Sequence, residues 1–138
     1  MKLGVICDGI SRDLSHALRV MDEFGLDYAE LQFVWDKEVG DHDASEIAQI
    51  KELLDTHNKP VSCLSRHIFA GLTTASKAGD KDHTRHMDYL KRVIEMAHQL
   101  NCPLVRIMTS KKEQILWGSN GAEHWNVAKG AWDTLPPL

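Results

Sequence analysis

Residues 101–107 read NCPLVRI, and the same plan occurs at residues 25–31, GLDYAEL, and at residues 58–64, NKPVSCL. In each segment, a residue that ends helices stands shortly before an apolar run with the composition of a buried strand. A fourth run of this kind, KLGVICD, occupies residues 2–8. The chain is therefore expected to repeat a unit of one strand and one helix.

The intervals between these strands carry helical periodicity. In the first interval, Ser11 or Asp13 can cap the helix start and Gly25 lies just past its end. Apolar residues at the spacing of one helix face are Leu14, Ala17, Leu18 and Met21 in the first interval, Ile47, Ile50, Leu53 and Leu54 in the second, and Met87, Leu90, Ile94 and Ala97 in the third. Three amphipathic helices thus alternate with four strands.

This βαβαβαβ order predicts an α/β fold with a parallel sheet, because strands joined through helices form right-handed crossovers. Either an open doubly wound sheet or part of a (β/α)₈ barrel satisfies it. At 138 residues the chain is long enough for one domain, residues 1–138, and too short for two. After the fourth strand, the spacing of Trp125, Ala128 and Trp132 predicts a loop and a helix fragment before two prolines.

Composition narrows the range of partners. A net charge of −4 leaves no basic excess to neutralise phosphates, so small molecules are favoured over nucleic acid. Three cysteines without a CxxC pair indicate reduced thiols. No apolar run approaches a membrane span, and the N-terminus has no signal-peptide pattern, so we expect a cytoplasmic protein without a membrane partner.

Candidate functional residues stand where the predicted strands end, because both architectures place ligand sites there. Asp8 ends the first strand, Trp35 the second and His67 the third. His67 is suited to metal binding, acid–base chemistry or hydrogen bonding to a hydroxylated substrate, with a purely structural role as the alternative. Glu30 and Arg106 lie inside the second and fourth strands, where they can form a buried ion pair or bind substrate hydroxyls or phosphate.

Other residues carry less specific signals. The aromatic side chains Trp35, Phe69 and Trp117 suit either the wall of a sugar site or the packing of a lid. His83 and His86 have a spacing that permits metal chelation, but a solvated helix start is the favoured interpretation. GxGxxG, Walker A and GxSxG motifs are absent, which argues against nucleotide-binding and serine-hydrolase functions.

The segments KLGVICDGI, DLSHALRVMDEFGLDYAEL, EIAQIKELLDTHNKPVSCLS and YLKRVIEMAHQLNCPLVRI together resemble the xylose isomerase-like sugar phosphate isomerase/epimerase family. The resemblance spans roughly residues 1–110 and rests on the order of these pieces. It implies a TIM barrel, which typically needs about 250 residues, so the chain is expected to form the first half, with about four strands.

The resemblance also implies a site and a chemistry. Family members usually hold a divalent metal (Mn, Mg, Zn or Co) on later strands, so this chain alone is not expected to bind it, and its catalytic residues stay unassigned. The expected substrate-binding residues are Asp8, Glu30, Trp35, His67 and Arg106.

Three functions follow from this reading. The first is a sugar or sugar-phosphate isomerase or epimerase, in which a proton moves between adjacent substrate carbons with the help of a metal. The second is a non-catalytic half-barrel that forms a homo-oligomer through its open edges or binds another partner. The third is a metal-dependent abasic-site endonuclease of the same fold, which the acidic net charge disfavours.

Overall fold

A computed structural model describes residues 1–73 and 76–109 in full and, further on, the backbone of two strands. The elements are β1 (Gly4–Ile6), α1 (Leu14–Glu23), β2 (Tyr28–Leu31), β3 (Phe33–Val34), β4 (Lys37–Glu38), α2 (Ala44–Thr56), β5 (Val61–Leu64), α3 (Lys81–Gln99), β6 (Glu123–Asn126) and β7 (Ala131–Thr134). A short 3₁₀ turn, Cys7–Gly9, follows β1.

The central sheet is parallel, in the order β1-β2-β5. The predicted fourth strand joins β5 through one parallel bridge between Leu64 and Val105. Two hydrogen bonds flank this bridge: Leu64 N donates to Leu104 O at 3.0 Å, and Arg106 N donates to Leu64 O at 2.9 Å. The four segments therefore lie side by side in chain order, as in a barrel, whereas a doubly wound sheet returns its fourth strand to the other side of the first. Within the described residues the sheet does not close.

The structure confirms the predicted boundaries and the predicted buried face of α1. Asp13 caps it by accepting a hydrogen bond from His16 N at 3.2 Å. Gly25 follows its end with a φ of +65°, a conformation that glycine adopts without strain. All four residues of the predicted apolar stripe are at most 1% exposed: Leu14, Ala17, Leu18 and Met21. Burial of each large side chain among them contributes roughly 1.5–3 kcal/mol.

Helix α2 also follows its predicted pattern. It begins with a capping box, in which Asp43 Oδ1 accepts from Glu46 N at 2.9 Å and Glu46 Oε2 accepts from Asp43 N at 2.8 Å. Ile47, Ile50 and Leu54 enter the core. Leu53 is only partly buried beside them.

The predicted face of α3 is partly wrong. Ala97 is buried as expected, but Ile94 is 40% exposed, and Val93 and Met96 enter the core instead. The reason lies in Gly40, which has no side chain and therefore lets the loop after β4 touch the helix backbone. Gly40 N approaches Met96 Sδ to 3.2 Å, and the Cβ position of Gly40 lies against Val93, so the helix face that carries Val93 and Met96 is the one that packs on this loop.

The segment after β2 also differs from expectation. Residues predicted as the end of one strand and a polar loop form an antiparallel hairpin, with Phe33 opposite Glu38 and Val34 opposite Lys37. Trp35 occupies the turn with a φ of +53°. Burial of Val34 and Val39, each at most 1% exposed, favours this reversal of the chain because it brings both side chains into the core.

The predicted C-terminal helix fragment is replaced in part by two strands. β6 and β7 pair antiparallel, with Trp125 opposite Trp132. Tryptophan and threonine favour strands, and Gly130 in the intervening sequence disfavours a helix. Among the helices of the described residues, none has the length and apolar character needed to cross a membrane.

Candidate functional site

The first group of predicted site residues lies within the sheet. Ser65 Oγ donates a short hydrogen bond to Glu30 Oε1. Arg106 Nη1 lies 3.8 Å from the same carboxylate oxygen, and Arg106 Nη2 donates to Ser65 O at 3.5 Å. The structure therefore brings Glu30 and Arg106 together as predicted, but the closest partner of Glu30 is Ser65, which the sequence did not single out.

Arg106 retains unused hydrogen-bonding capacity. Its Nε is buried without a hydrogen-bond partner among the described residues. Its side chain is 38% exposed as a whole, and that of Glu30 is 26% exposed. A buried donor left without a partner costs about 1–3 kcal/mol, and the exposed part of the guanidinium is the part that a ligand can reach.

The second group surrounds His67 at the C-terminal end of β5. Glu38 Oε1 accepts a hydrogen bond from His67 N at 2.9 Å and lies 2.7 Å from His67 Nδ1. The side-chain amide nitrogen of Gln32 lies 3.2 Å from Nδ1 and 3.0 Å from Nε2. The imidazole remains 47% exposed, whereas Glu38 is 17% exposed. Sequence patterns missed Glu38 because it comes from the unexpected hairpin.

Arg66, the neighbour of His67, anchors this hairpin from within the core. Its side chain is 5% exposed, its Nη1 donates to Val39 O at 2.7 Å, and its Nε lies 3.5 Å from Glu38 Oε2. The guanidinium also lies over the ring of Tyr89, with its carbon 4.1 Å from the ring centroid. These contacts engage the guanidinium from several sides, so Arg66 supports Glu38 and is poorly placed to bind a ligand.

Asp41 joins the hairpin to α3 through two arginines. Its Oδ2 accepts from Arg66 Nη2 at 2.8 Å, and its Oδ1 accepts from Arg92 Nη2 at 2.7 Å. Partial burial acts to raise the pKa of Asp41, but the hydrogen bonds from Arg66 and Arg92 outweigh it and lower that pKa. Both guanidinium groups also lie over the ring of Tyr89, with their carbons 4.1 Å (Arg66) and 5.0 Å (Arg92) from its centroid.

The remaining predicted substrate-binding residues lie apart from these contacts. Asp8 Oδ1 accepts a long hydrogen bond of 3.4 Å from Phe33 N, which ties the turn after β1 to the hairpin. Trp35 N donates to Arg12 O at 2.7 Å, and its ring meets the ring of His42 edge to face, with centroids 6.0 Å apart. Trp35 therefore helps to pack the hairpin, and the structure does not bring it against His67.

The histidines at the start of α3 serve packing. His83 stacks on Phe69, with ring centroids 5.8 Å apart. His86 is buried, and its Nδ1 accepts a hydrogen bond from Phe69 N at 3.0 Å. Burial and the neighbouring Arg85 lower the pKa of His86. The expectation of a solvated helix start is therefore wrong for His86. Trp117, the third aromatic candidate, lies outside the described residues.

Burial keeps the thiol of Cys7 out of the site chemistry. Cys7 is 1% exposed, and burial together with Asp8 and Glu30 raises the pKa of its thiol to about 12. The thiol therefore stays protonated near neutral pH. Cys63 and Cys102 are also free, and burial raises the pKa of Cys102.

A divalent cation requires several converging nitrogen or oxygen ligands. Within residues 1–73 and 76–109, no three histidine, cysteine, aspartate or glutamate side chains converge in this way. Glu30 is engaged by Ser65, and His67 by Glu38. These residues do not fit a metal site on their own.

Comparison with known proteins gives a match to a family model. No curated protein and no solved structure matches the chain. A family model described as a xylose isomerase-like TIM barrel matches residues 18–137, which is most of the chain. The match agrees with the parallel sheet, whose four segments lie in chain order. The chain belongs to the xylose isomerase-like TIM barrel family.

Proposed function

We propose that this chain forms the substrate-binding half of a sugar or sugar-phosphate isomerase or epimerase site. The observation that carries the proposal is the position of His67. Its half-exposed ring stands at the C-terminal end of a barrel strand, held by a carboxylate from the neighbouring hairpin. TIM barrels place their active sites at this face. Family membership supports the same function.

The two groups of side chains complement a carbohydrate. Each sugar hydroxyl can donate one hydrogen bond and accept others. Glu30 offers carboxylate oxygens as acceptors, and Arg106, whose side chain is 38% exposed, offers guanidinium N–H groups as donors. His67 adds a ring nitrogen on the exposed side of the site. Together they can orient vicinal hydroxyl or carbonyl oxygens of a bound sugar.

The divalent metal that the family resemblance implies would polarise adjacent substrate oxygens when bound. Because the described residues do not fit a metal, their part is to bind and orient the sugar. We place this activity in the cytoplasm, where unpaired thiols such as those of Cys7, Cys63 and Cys102 stay reduced.

The proposal is tested by replacing His67 with alanine and measuring sugar binding. D-Xylose, D-fructose and their phosphates serve as probes, with calorimetry or ligand-detected NMR as the measurement. We expect His67→Ala to weaken binding at least about tenfold, equivalent to losing one hydrogen bond to a charged or strongly polarised group. The free energy of unfolding should change little because the ring is half exposed.

His98→Ala is the matched control. His98 lies exposed in the last turn of α3, so its replacement should leave binding unchanged. Equal affinities for the wild type and His67→Ala would contradict the proposal. Unchanged binding with a marked loss of stability would show that His67 has a structural role.

An exposed apolar edge favours a second candidate, a non-catalytic half-barrel that associates with itself. Leu104 is 61% exposed, Ile107 52% and Met108 39%, all beside the bridge that adds the fourth strand. No further strand pairs with this segment in the part of the chain that the structure describes, and an open strand edge favours association with another chain. Sedimentation equilibrium combined with a sugar titration separates the two candidates: a dimer without sugar affinity supports the half-barrel. The net charge of −4 gives no support to a DNA-binding groove.

A further inference from the structure

The two ring nitrogens of His67 have different surroundings. The amide nitrogen of Gln32 lies at nearly equal distances from both ring nitrogens, 3.2 Å from Nδ1 and 3.0 Å from Nε2. The in-plane hydrogen-bonding directions of these two nitrogens diverge, so one atom cannot lie along both. Gln32 therefore packs over the face of the ring. No other described side chain takes the in-plane position at Nε2, and this nitrogen stays available to a ligand.

Nδ1, in contrast, has a directed partner. Glu38 Oε1 lies 2.7 Å from it and also accepts from His67 N at 2.9 Å. An ionised carboxylate only accepts hydrogen bonds, so Nδ1 must carry a proton. In the neutral ring Nε2 then has the lone pair. The hydrogen-bond network, and not an observed hydrogen, assigns this tautomer.

Glu38 is itself held in place. Its second oxygen forms an ion pair, without a hydrogen bond, with Arg66 Nε at 3.5 Å, and Arg66 is itself bound to Val39 O and Asp41. Glu38 is mostly buried on the strand that the hairpin contributes, so its carboxylate has little freedom to leave His67. Positioning groups of this kind orient a histidine and select its tautomer in many sites.

We infer that Glu38 is a positioning residue that holds His67 as the Nδ1–H tautomer and so makes Nε2 a hydrogen-bond acceptor for a ligand hydroxyl. The ligand part of this inference rests on the proposed function; the tautomer does not. Nε2 therefore selects a ligand group that donates a hydrogen bond. A carboxylate or phosphate oxygen would meet the lone pair and be disfavoured.

The test is long-range ¹H–¹⁵N NMR of the histidine side chains, recorded where the imidazole is neutral. The wild type should show the Nδ1–H pattern for His67, assigned through His67→Ala. Glu38→Ala should lose this pattern, and Glu38→Gln should retain it because its amide oxygen still accepts from Nδ1–H. Lys37→Ala on the same hairpin, which removes a partly exposed ion pair with Glu46, is the control and should leave the pattern unchanged.

Sugar affinity is measured in parallel with D-xylose and D-fructose. Glu38→Ala should weaken binding about tenfold, which corresponds to the loss of one hydrogen bond between Nε2 and the ligand, and Glu38→Gln should recover most of it. An Nε2–H pattern in the wild type, or an unchanged pattern in a folded Glu38→Ala, overturns the inference. Should Glu38→Ala fail to fold, the wild-type and Glu38→Gln spectra still decide.

The two proposals fail in different ways. A tautomer that depends on Glu38, in a protein without sugar affinity, would support the positioning role and refute the proposed function. Sugar binding that requires His67 but not Glu38, with an unchanged tautomer, would refute the positioning role alone.

Discussion

Replacing Gly40 with alanine should strongly destabilise the contact between the β3–β4 hairpin and α3. Gly40 has a φ of +88°, and a Cβ built there would lie 2.7 Å from Val93 Cγ2, 3.2 Å from Val93 N and 3.4 Å from Val93 Cα. Carbon atoms in ordinary contact are about 3.5–4.0 Å apart. Two of the three neighbouring atoms belong to the helix backbone, so a change of side-chain rotamer alone cannot relieve the clash.

The expected cost has two parts. The left-handed backbone conformation costs a non-glycine residue roughly 1–2 kcal/mol, and overpacking typically costs about 1–3 kcal/mol. Gly40→Ala should therefore lower the free energy of unfolding by roughly 2–5 kcal/mol. Gly79→Ala separates the two parts, because Gly79 has a φ of +92° with no neighbouring atom within 4 Å of its Cβ position. This control should lose only the backbone part.

Urea unfolding monitored by circular dichroism measures both variants. Equal losses for Gly40→Ala and Gly79→Ala would refute the reasoning, because they would show that the hairpin does not touch α3 closely. A displaced hairpin should also disturb the site. Gly40 O accepts a hydrogen bond from Arg92 Nε at 2.9 Å, and the adjacent Asp41 binds Arg66, which supports Glu38.

Two further predictions concern residues near the starts of α2 and α3. Asp43→Ala should lower the free energy of unfolding by about 1 kcal/mol in the same urea assay, because it removes the cap of α2. Asp55 is exposed near the other end of that helix, so Asp55→Ala should be neutral or slightly stabilising. Burial and Arg85 lower the pKa of His86 in the folded chain. As the pH falls below about 6.5, this histidine therefore becomes protonated in the unfolded chain before it does in the folded chain. The free energy of unfolding should therefore decrease as the pH falls through that range. His86→Gln can still accept a hydrogen bond from Phe69 N and should make the free energy of unfolding less dependent on pH. The same pH dependence in the wild type and in His86→Gln would contradict the prediction.

Short-range patterns were sufficient for α1 and α2. Their capping residues and apolar stripes act within one or two helical turns, and the structure buries Leu18 and Ile50 as the periodicity predicts. The repeated junctions likewise predicted the parallel strands, because a helix between two strands leaves little choice of connection. Proximity of Glu30 and Arg106 followed from alternation along those strands.

The site itself depends on contacts between residues far apart in the chain. No local pattern marks the hairpin that carries Glu38 to His67, since its β-strands are two residues long and their pairing is favoured by burial of Val34 and Val39. The rotation of α3 depends in the same way on the approach of Gly40. Periodicity shows which residues share a face of one helix or strand. Packing of the whole core decides which way that face points and which residues of other elements contact it.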